Sequence, residues 1–581
     1  MVRRWMRRLA TVVGSVTLLA LFAALIAFTL TRERVPRAAV LTLDLEQGVL
    51  AAAPTDPVGR IMQSDRLSLP EIVSALDRAA ADDRILGLVV RIGGDSHGIG
   101  TVQELRQAIT RFRDAGKPAF AFAETMGELQ SGNIGYYLAS ACACDRIYLQ
   151  PAGDIGLTEL IAESPFLRGT LDKLDIEPRL DQRHEYKNAM NTFTETGFTA
   201  AHREAMADLV GDLFRVMVED IASSRGFEPD ALRALIDRGP FLGAEAEEVG
   251  LVDGIAYRDQ VHAELEATIG RSFELLSAGR YAASRERTPR RATAVALINA
   301  AGTVARGESG FSPLFGGQSM GSDTVTAAFR DAIEDDSIKA ILFRVDSGGG
   351  SYEASDAIWR MVLLAQEAGK PVVVSMGDMA ASGGYFVAMD AERIIAQPGT
   401  LTGSIGVLGG KLVTRDFWQE RLGVTWDSVG SSANAGMWTG VEDYSEHGWA
   451  RHQDWLNRVY DDFTLKVAAG RDLAPETVRD IARGRVWTGA QALELGLVDA
   501  LGGYAEAQAA IREVLELDAS AQVRWQPLPE PGGWRDLFGG SDAAPVVASL
   551  LQTLGPALET LRQAGAFGVR GELEAFPPQI R

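Results

Sequence analysis

Hydrophobic and polar positions run through the same succession of periods twice along this chain. Short apolar runs at 40–45 and 295–298 predict strands. Each is followed by an amphipathic stretch, 71–80 and 324–333, whose apolar residues recur at the spacing of a helix face. Second apolar runs, 85–92 and 338–345, lead into glycines, as a buried strand entering a turn does. Helical periodicity returns over 102–115 and 354–368. Gly116-Lys117-Pro118 and Gly369-Lys370-Pro371 then open further apolar runs at 119–123 and 372–375. Strands alternating with helices predict an α/β fold of parallel βαβ units, with any active site at the carboxyl ends of the strands.

The recurrence is a duplication, because residues match as well as periods. Asp82-Asp83-Arg84-Ile85 returns as Asp335-Asp336-Ser337-Ile338, and the Gly-Lys-Pro motif returns at the same offset of 253. Gln150-Pro151 returns as Gln397-Pro398, and Gly250-Leu251-Val252-Asp253 as Gly496-Leu497-Val498-Asp499, at offsets of 247 and 246. The slow drift is what small loop insertions produce. Two tandem domains are expected, 38–270 and 293–515. Between them, 271–292 reads as a linker, crowded with Arg280, Arg285, Arg287, Arg290 and Arg291. Residues 516–581 form an extension with one amphipathic stretch at 546–561.

One run fits neither period. Residues 9–30 carry no charge, enough to span a bilayer as a helix. Arg3, Arg4, Arg7 and Arg8 precede it, and Arg32, Arg34 and Arg37 follow. The reading is a basic cytoplasmic segment at 1–8 and a transmembrane anchor at 9–31, the N-terminus inside. A cleaved signal peptide fits less well, since the apolar run is long and Thr29-Leu30-Thr31 is not a small-x-small site.

Composition excludes more than it suggests. A chain of 581 residues exceeds one hydrophobic core, and a net charge of −21 argues against a broad nucleic-acid surface. Cys142 and Cys144 are too few for a disulfide framework or a structural zinc site, so no metal and no cofactor are expected.

Two glycine-rich stretches of the second half could carry chemistry. Gly377-Asp378-Met379-Ala380-Ala381-Ser382-Gly383-Gly384-Tyr385-Phe386 sets one serine among small residues after an apolar run. A nucleophilic serine needs such a turn, with backbone N–H groups free for an oxyanion. A helix N-cap serine packed by glycines reads the same way locally. Arg344-Val345-Asp346-Ser347-Gly348-Gly349-Gly350-Ser351 follows a strand and offers several outward N–H groups, as an ordinary βα turn also does. The first half holds Asn133 opposite Ser382, and Gly93-Gly94-Asp95-Ser96-His97 opposite the glycine turn. Ser96 matches a nucleophile-elbow pattern, but the duplication aligns it with that turn and not with Ser382. The six histidines lie in no triad-like pattern. A lysine base is the alternative if burial lowers its pKa. Lys187, in His184-Glu185-Tyr186-Lys187-Asn188, falls opposite Ala433, so lysine and serine survive in different halves. That complementary loss predicts one composite site.

These residues resemble the signal peptide peptidase A (protease IV) family in its long form. The likeness rests on Gly-Asp-x-Ala-Ala-Ser-Gly-Gly-Tyr, on Thr402-Gly403-Ser404-Ile405-Gly406-Val407, on Tyr186-Lys187 with nearby Phe193, and on the anchor and duplication. It covers about residues 1–515; Gly348 stands where the family has proline. The resemblance implies two Clp protease/crotonase-like domains. It implies Ser382 as nucleophile, Lys187 as general base, Gly349 and Gly383 as oxyanion donors and Ser404 as support for the lysine. It further implies a homotetramer at the bacterial cytoplasmic membrane, its catalytic region periplasmic, degrading remnant signal peptides. Two other readings compete: an acyl-CoA enzyme of the crotonase type, and an anchored scaffold without activity.

Overall fold

The computed structural model describes residues 35–46, 48–53, 66–93, 97–142, 146–284, 291–312, 317–518 and 521–529, with the strand pairs at 573–574 and 579–580. The expected anchor at 9–31 and the amphipathic stretch at 546–561 lie outside the described residues. Among the described residues no helix is long and apolar enough to cross a membrane.

Each half is built on a sheet of largely parallel strands. In the first half β1 (Ala39–Asp44), β2 (Ile85–Arg91), β3 (Ala119–Ala123) and β4 (Arg146–Leu149) pair in that order. Helices α1 (Leu69–Ala81) and α2 (Ile99–Asp114) make the crossovers. The second half repeats this with β5 (Thr293–Ala301), α3 (Ser322–Glu334), β6 (Ile338–Ser347), α4 (Tyr352–Glu367), β7 (Val372–Ala381) and β8 (Arg393–Ala396). The strands are nearly continuous apolar runs because helices cover the sheets. α1 begins where Ser68 and Glu71 form a capping box, with Pro70 in its first turn.

The duplication reaches details of hydrogen bonding. The register of β1 on β2 slips between Ala39 and Val40, and that of β5 on β6 between Ala294 and Val295. The Gly-Lys-Pro lysines bind helix-end carbonyls in both halves: Lys117 Nζ those of Ala79 and Asp82, Lys370 Nζ those of Ala332, Ile333 and Asp335. Asp253 and Asp499, the last residues of the Gly-Leu-Val-Asp motifs, accept from the N–H of Ile147 and Ile394. Tyr136 and Tyr385 each donate to the leucine carbonyl of the same motif. The repeated motifs are thus structural fastenings.

Parts of the expected linker and of the expected extension form regular elements. Within 271–292, Glu274–Ser277 pairs in parallel with β1 and Ala278–Ala283 is helical. The arginines that suggested a linker obscured Leu276, Ala278 and Tyr281, which are buried. Val523–Leu528, in the extension, pairs in parallel with β5.

The halves join in two ways that position the site. Strand Glu177–Arg183 of the first half runs antiparallel to Val407–Val413 of the second over its whole length. Helix α2 lies against the second half: Glu104 forms an ion pair of 2.5 Å with Arg344, both 2% exposed at the side chain. Arg344 also donates to Ser375 Oγ at 2.7 Å, and Glu104 accepts from the N–H of Tyr504. Asp378 accepts from the N–H and hydroxyl of Thr101 in the first turn of α2.

Candidate active site

β7 ends at Ala381, Ser382 follows it, and the helical turn Gly383–Phe386 starts directly after the serine. Ser382 has φ 55° and ψ −118°, a conformation costly for a residue with a Cβ. Its N–H donates to the carbonyl of Gly403 at 2.8 Å, and its own carbonyl accepts from Phe386, which fixes this backbone at both ends. The glycines that follow are required by space. A Cβ on Gly383 would lie 2.6 Å from Ser355 Oγ and 3.2 Å from Gly349 Cα; one on Gly384 would lie 2.4 Å from the Ser347 carbonyl. The serine turn is thereby pressed against the glycine turn that ends β6.

In that second turn Gly349 has φ 107°, and its N–H donates to Ser347 Oγ at 3.2 Å. Ser347 Oγ in turn donates to the Gly302 carbonyl. Gly349 and Gly350 form a two-residue strand.

Lys187 arrives from the other half. It follows the strand Glu177–Arg183, whose pairing with Val407–Val413 carries it across to the serine. Its Nζ lies 2.9 Å from Ser382 Oγ, 2.7 Å from the Ser404 carbonyl and 2.9 Å from Ser404 Oγ. Lys187 is 1% exposed and Ser382 fully buried. Burial lowers the Lys187 pKa from the ordinary lysine value to about 7. A lysine at that pKa is a competent proton acceptor near neutrality.

Ser404, at φ 50°, donates its N–H to the Arg485 carbonyl. The neighbouring residue Gly484 escaped sequence reasoning. A Cβ there would lie 2.5 Å from Lys187 N and 2.6 Å from Lys187 Cβ, at φ 86°. Nothing about a lone glycine between Arg483 and Arg485 marks it in the sequence.

The five residues singled out in sequence therefore meet in one place, and the positions that face Ser382 and Lys187 across the duplication carry no such chemistry. Asn133 is buried, accepting from the N–H of Thr158 at 2.7 Å and donating to Ser131 Oγ. Ala433, opposite Lys187, is exposed. Ser96 lies outside the described residues. Among the described residues no cluster of His, Cys, Asp or Glu could hold a metal ion.

Comparison with known proteins adds an independent line. The family described as Peptidase family S49 matches residues 111–271 and 364–518. Protease 4 of Salmonella typhi is 34% identical over 475 residues, covering 78% of this chain and 74% of its own. Protease 4 of Haemophilus influenzae is 31% identical over 461 residues, 76% and 72% of the two chains. The chloroplastic serine protease SPPA of Arabidopsis thaliana is 28% identical over 507 residues, 86% and 72%. Among solved structures, a ClpP1 mutant from Listeria monocytogenes aligns over 36% of this chain and 93% of its own, at 14% identity and a TM-score of 0.23.

Proposed function

Because the chain belongs to peptidase family S49 and is a serine protease, we propose that it cleaves peptides through a dyad of Ser382 and Lys187, one residue from each half. The observation that carries this reading is the 2.9 Å contact between a buried Lys187 Nζ and Ser382 Oγ. Neutral Lys187 takes the hydroxyl proton as Ser382 Oγ attacks the substrate carbonyl. The N–H groups of Gly383 and Gly349 receive the developing oxyanion. The contact from Gly349 to Ser347 is long, and a charged acceptor competes well with it. The lysine returns its proton to the leaving amine. It then deprotonates the water that hydrolyses the acyl ester. Ser404 orients the lysine through its carbonyl and hydroxyl.

In this reading 38–270 supplies the base and 293–515 the nucleophile. Residues 9–31 anchor the chain in the bacterial cytoplasmic membrane with the catalytic halves outside. The substrates are remnant signal peptides, and the working form is a homotetramer. The apolar run with its flanking arginines supports the anchor, and the likeness to signal peptide peptidase A supports the substrate and assembly. The test is hydrolysis of a fluorogenic apolar peptide by the detergent-solubilised protein. Both Ser382→Ala and Lys187→Ala are expected to abolish turnover while leaving the protein folded. Near-full activity in Lys187→Ala would place the base elsewhere.

A further inference from the structure

The strand that leads to the serine runs out of step with its neighbour. β7 pairs with β6 from Val372 opposite Ile341 to Met376 opposite Val345, and again where Ala380 stands opposite Ser347. In between, Gly377, Asp378 and Met379 face the single residue Asp346. On its other edge β7 changes partner over the same interval. It leaves β8 after Ser375 and meets Leu401–Gly403 at Met379. The strand thus bulges shortly before Ser382, and a bulge re-aims the residues that follow it.

A bulge leaves backbone groups without ladder partners, and each needs another. The Asp346 carboxylate provides them. Its Oδ1 accepts from the N–H of Met379 at 3.1 Å, and the carboxylate also accepts from the N–H of Asp378. A Cβ on Gly377 would lie 2.6 Å from Asp346 Cγ, so only glycine leaves the carboxylate room. From the far edge Thr400 Oγ1 donates to the Gly377 carbonyl at 2.7 Å. Asp378, thrust out by the bulge, caps α2 through Thr101. The residue after Asp346 is Ser347, whose Oγ accepts from the N–H of Gly349. One side chain therefore stands where the serine turn and the glycine turn diverge. The first half shows the counter-case. The offset of 253 that carries Asp83 to Asp336 puts Gly93 opposite Asp346, and β2 pairs with β3 without a slip. The acid is absent from the half that lacks the nucleophile.

We propose that Asp346 is a positioning residue for Ser382: its carboxylate stands in for the missing strand partner of β7 and seats the serine turn against the glycine turn. This rests on the Ser382–Lys187 reading above. Asp346 acts through the backbone, so its loss displaces Ser382 Oγ from the amine and lowers kcat, where a lost substrate contact would raise KM. A displacement of about 1 Å costs about 100-fold.

The test is peptidase activity of the full detergent-solubilised chain, with turnover expressed per serine titrated by a fluorophosphonate. Asp346→Leu keeps the shape of the side chain and removes the acceptor. Asp346→Asn keeps an acceptor oxygen for Met379. The expected result is a kcat about 100-fold lower in Asp346→Leu with KM within about twofold, and at least about tenfold of that loss recovered in Asp346→Asn. If Asp346→Leu does not fold, Asp346→Ala takes its place on the same expectation. A kcat within about twofold of wild type without the acceptor would overturn the inference. Equal losses in the leucine and asparagine variants would overturn it too, since charge and not the acceptor would then be what the turn requires. A wild type that turns over no faster than Ser382→Ala would sink the dyad reading, and the positioning role with it.

Discussion

Lys187 carries opposite demands of stability and chemistry. Its pKa falls from the lysine value of the unfolded chain to about 7 in the fold because burial penalises the ammonium. Between those two values the unfolded chain binds the extra proton, so stability rises with pH across that window. Below about pH 7 both states are protonated and the burial cost is paid in full. Lys187→Met is therefore expected to unfold at higher temperature than the wild type at pH 7, by on the order of a few kcal/mol, with the gap narrowing toward pH 10. Calorimetry across that range decides it; a gap independent of pH would mean that burial does not depress the lysine. The catalytic counterpart has the same origin. kcat/KM should rise about tenfold per pH unit below neutrality and level off above about pH 7, as the neutral amine becomes populated. A flat profile from pH 5 to 9 would contradict it.

Ser404 and Gly484 meet that lysine at its two ends, Ser404 at Nζ and Gly484 at the backbone. Ser404→Ala removes one of three contacts at Nζ and leaves the carbonyl at 2.7 Å. It should lower kcat about 10-fold with little change in KM, a loss typical of an orienting contact. Gly484→Ala forces a Cβ into the backbone of Lys187 at a positive φ. It should cost far more activity than Ser404→Ala, although Gly484 offers no side chain to the site. Comparing the two variants in one peptidase assay separates an orienting contact from a steric seat, and equal losses would remove the distinction.

At the scale of elements, the sequence reported duplicated fastenings more clearly than chemistry. Gly-Lys-Pro and Gly-Leu-Val-Asp stood out because each copy makes the same hydrogen bonds: lysine to helix-end carbonyls, aspartate to a strand N–H. The serine turn was legible because crowding admits only glycine after Ser382. Lys187 was legible only through its missing copy at Ala433 and through family likeness, since its burial comes from strands far apart in sequence. Strand Glu274–Ser277 was lost among arginines, because four residues at a sheet edge give too short a period to read. The contact between α2 and β6 had no local signal either. Glu104 on a helix face reads as solvated, yet it neutralises Arg344, four residues before Gly348 of the glycine turn. Glu104→Ala leaves that guanidinium buried without its counter-ion and should destabilise the fold by about 3–5 kcal/mol in chemical denaturation. A loss below about 1 kcal/mol would place the pair at the level of a surface contact.

At the scale of the molecule, duplication followed by complementary loss explains why two sheets serve one site. Each half keeps its core and fastenings. The first half has filled its serine position with a satisfied Asn133, and the second has left its lysine position as an exposed alanine. The antiparallel pairing of Glu177–Arg183 with Val407–Val413 then does what a loop could not: it fixes the lysine against the serine from another sheet with both side chains closed to solvent. Because both residues belong to one chain, co-expressed Ser382→Ala and Lys187→Ala chains cannot complement each other, however many copies assemble. Their mixture should show no more peptidase activity than either alone. Recovery of about a quarter or more of wild-type turnover would require the lysine to reach a neighbouring chain's serine, and the pairing of the two strands would then have to form between subunits.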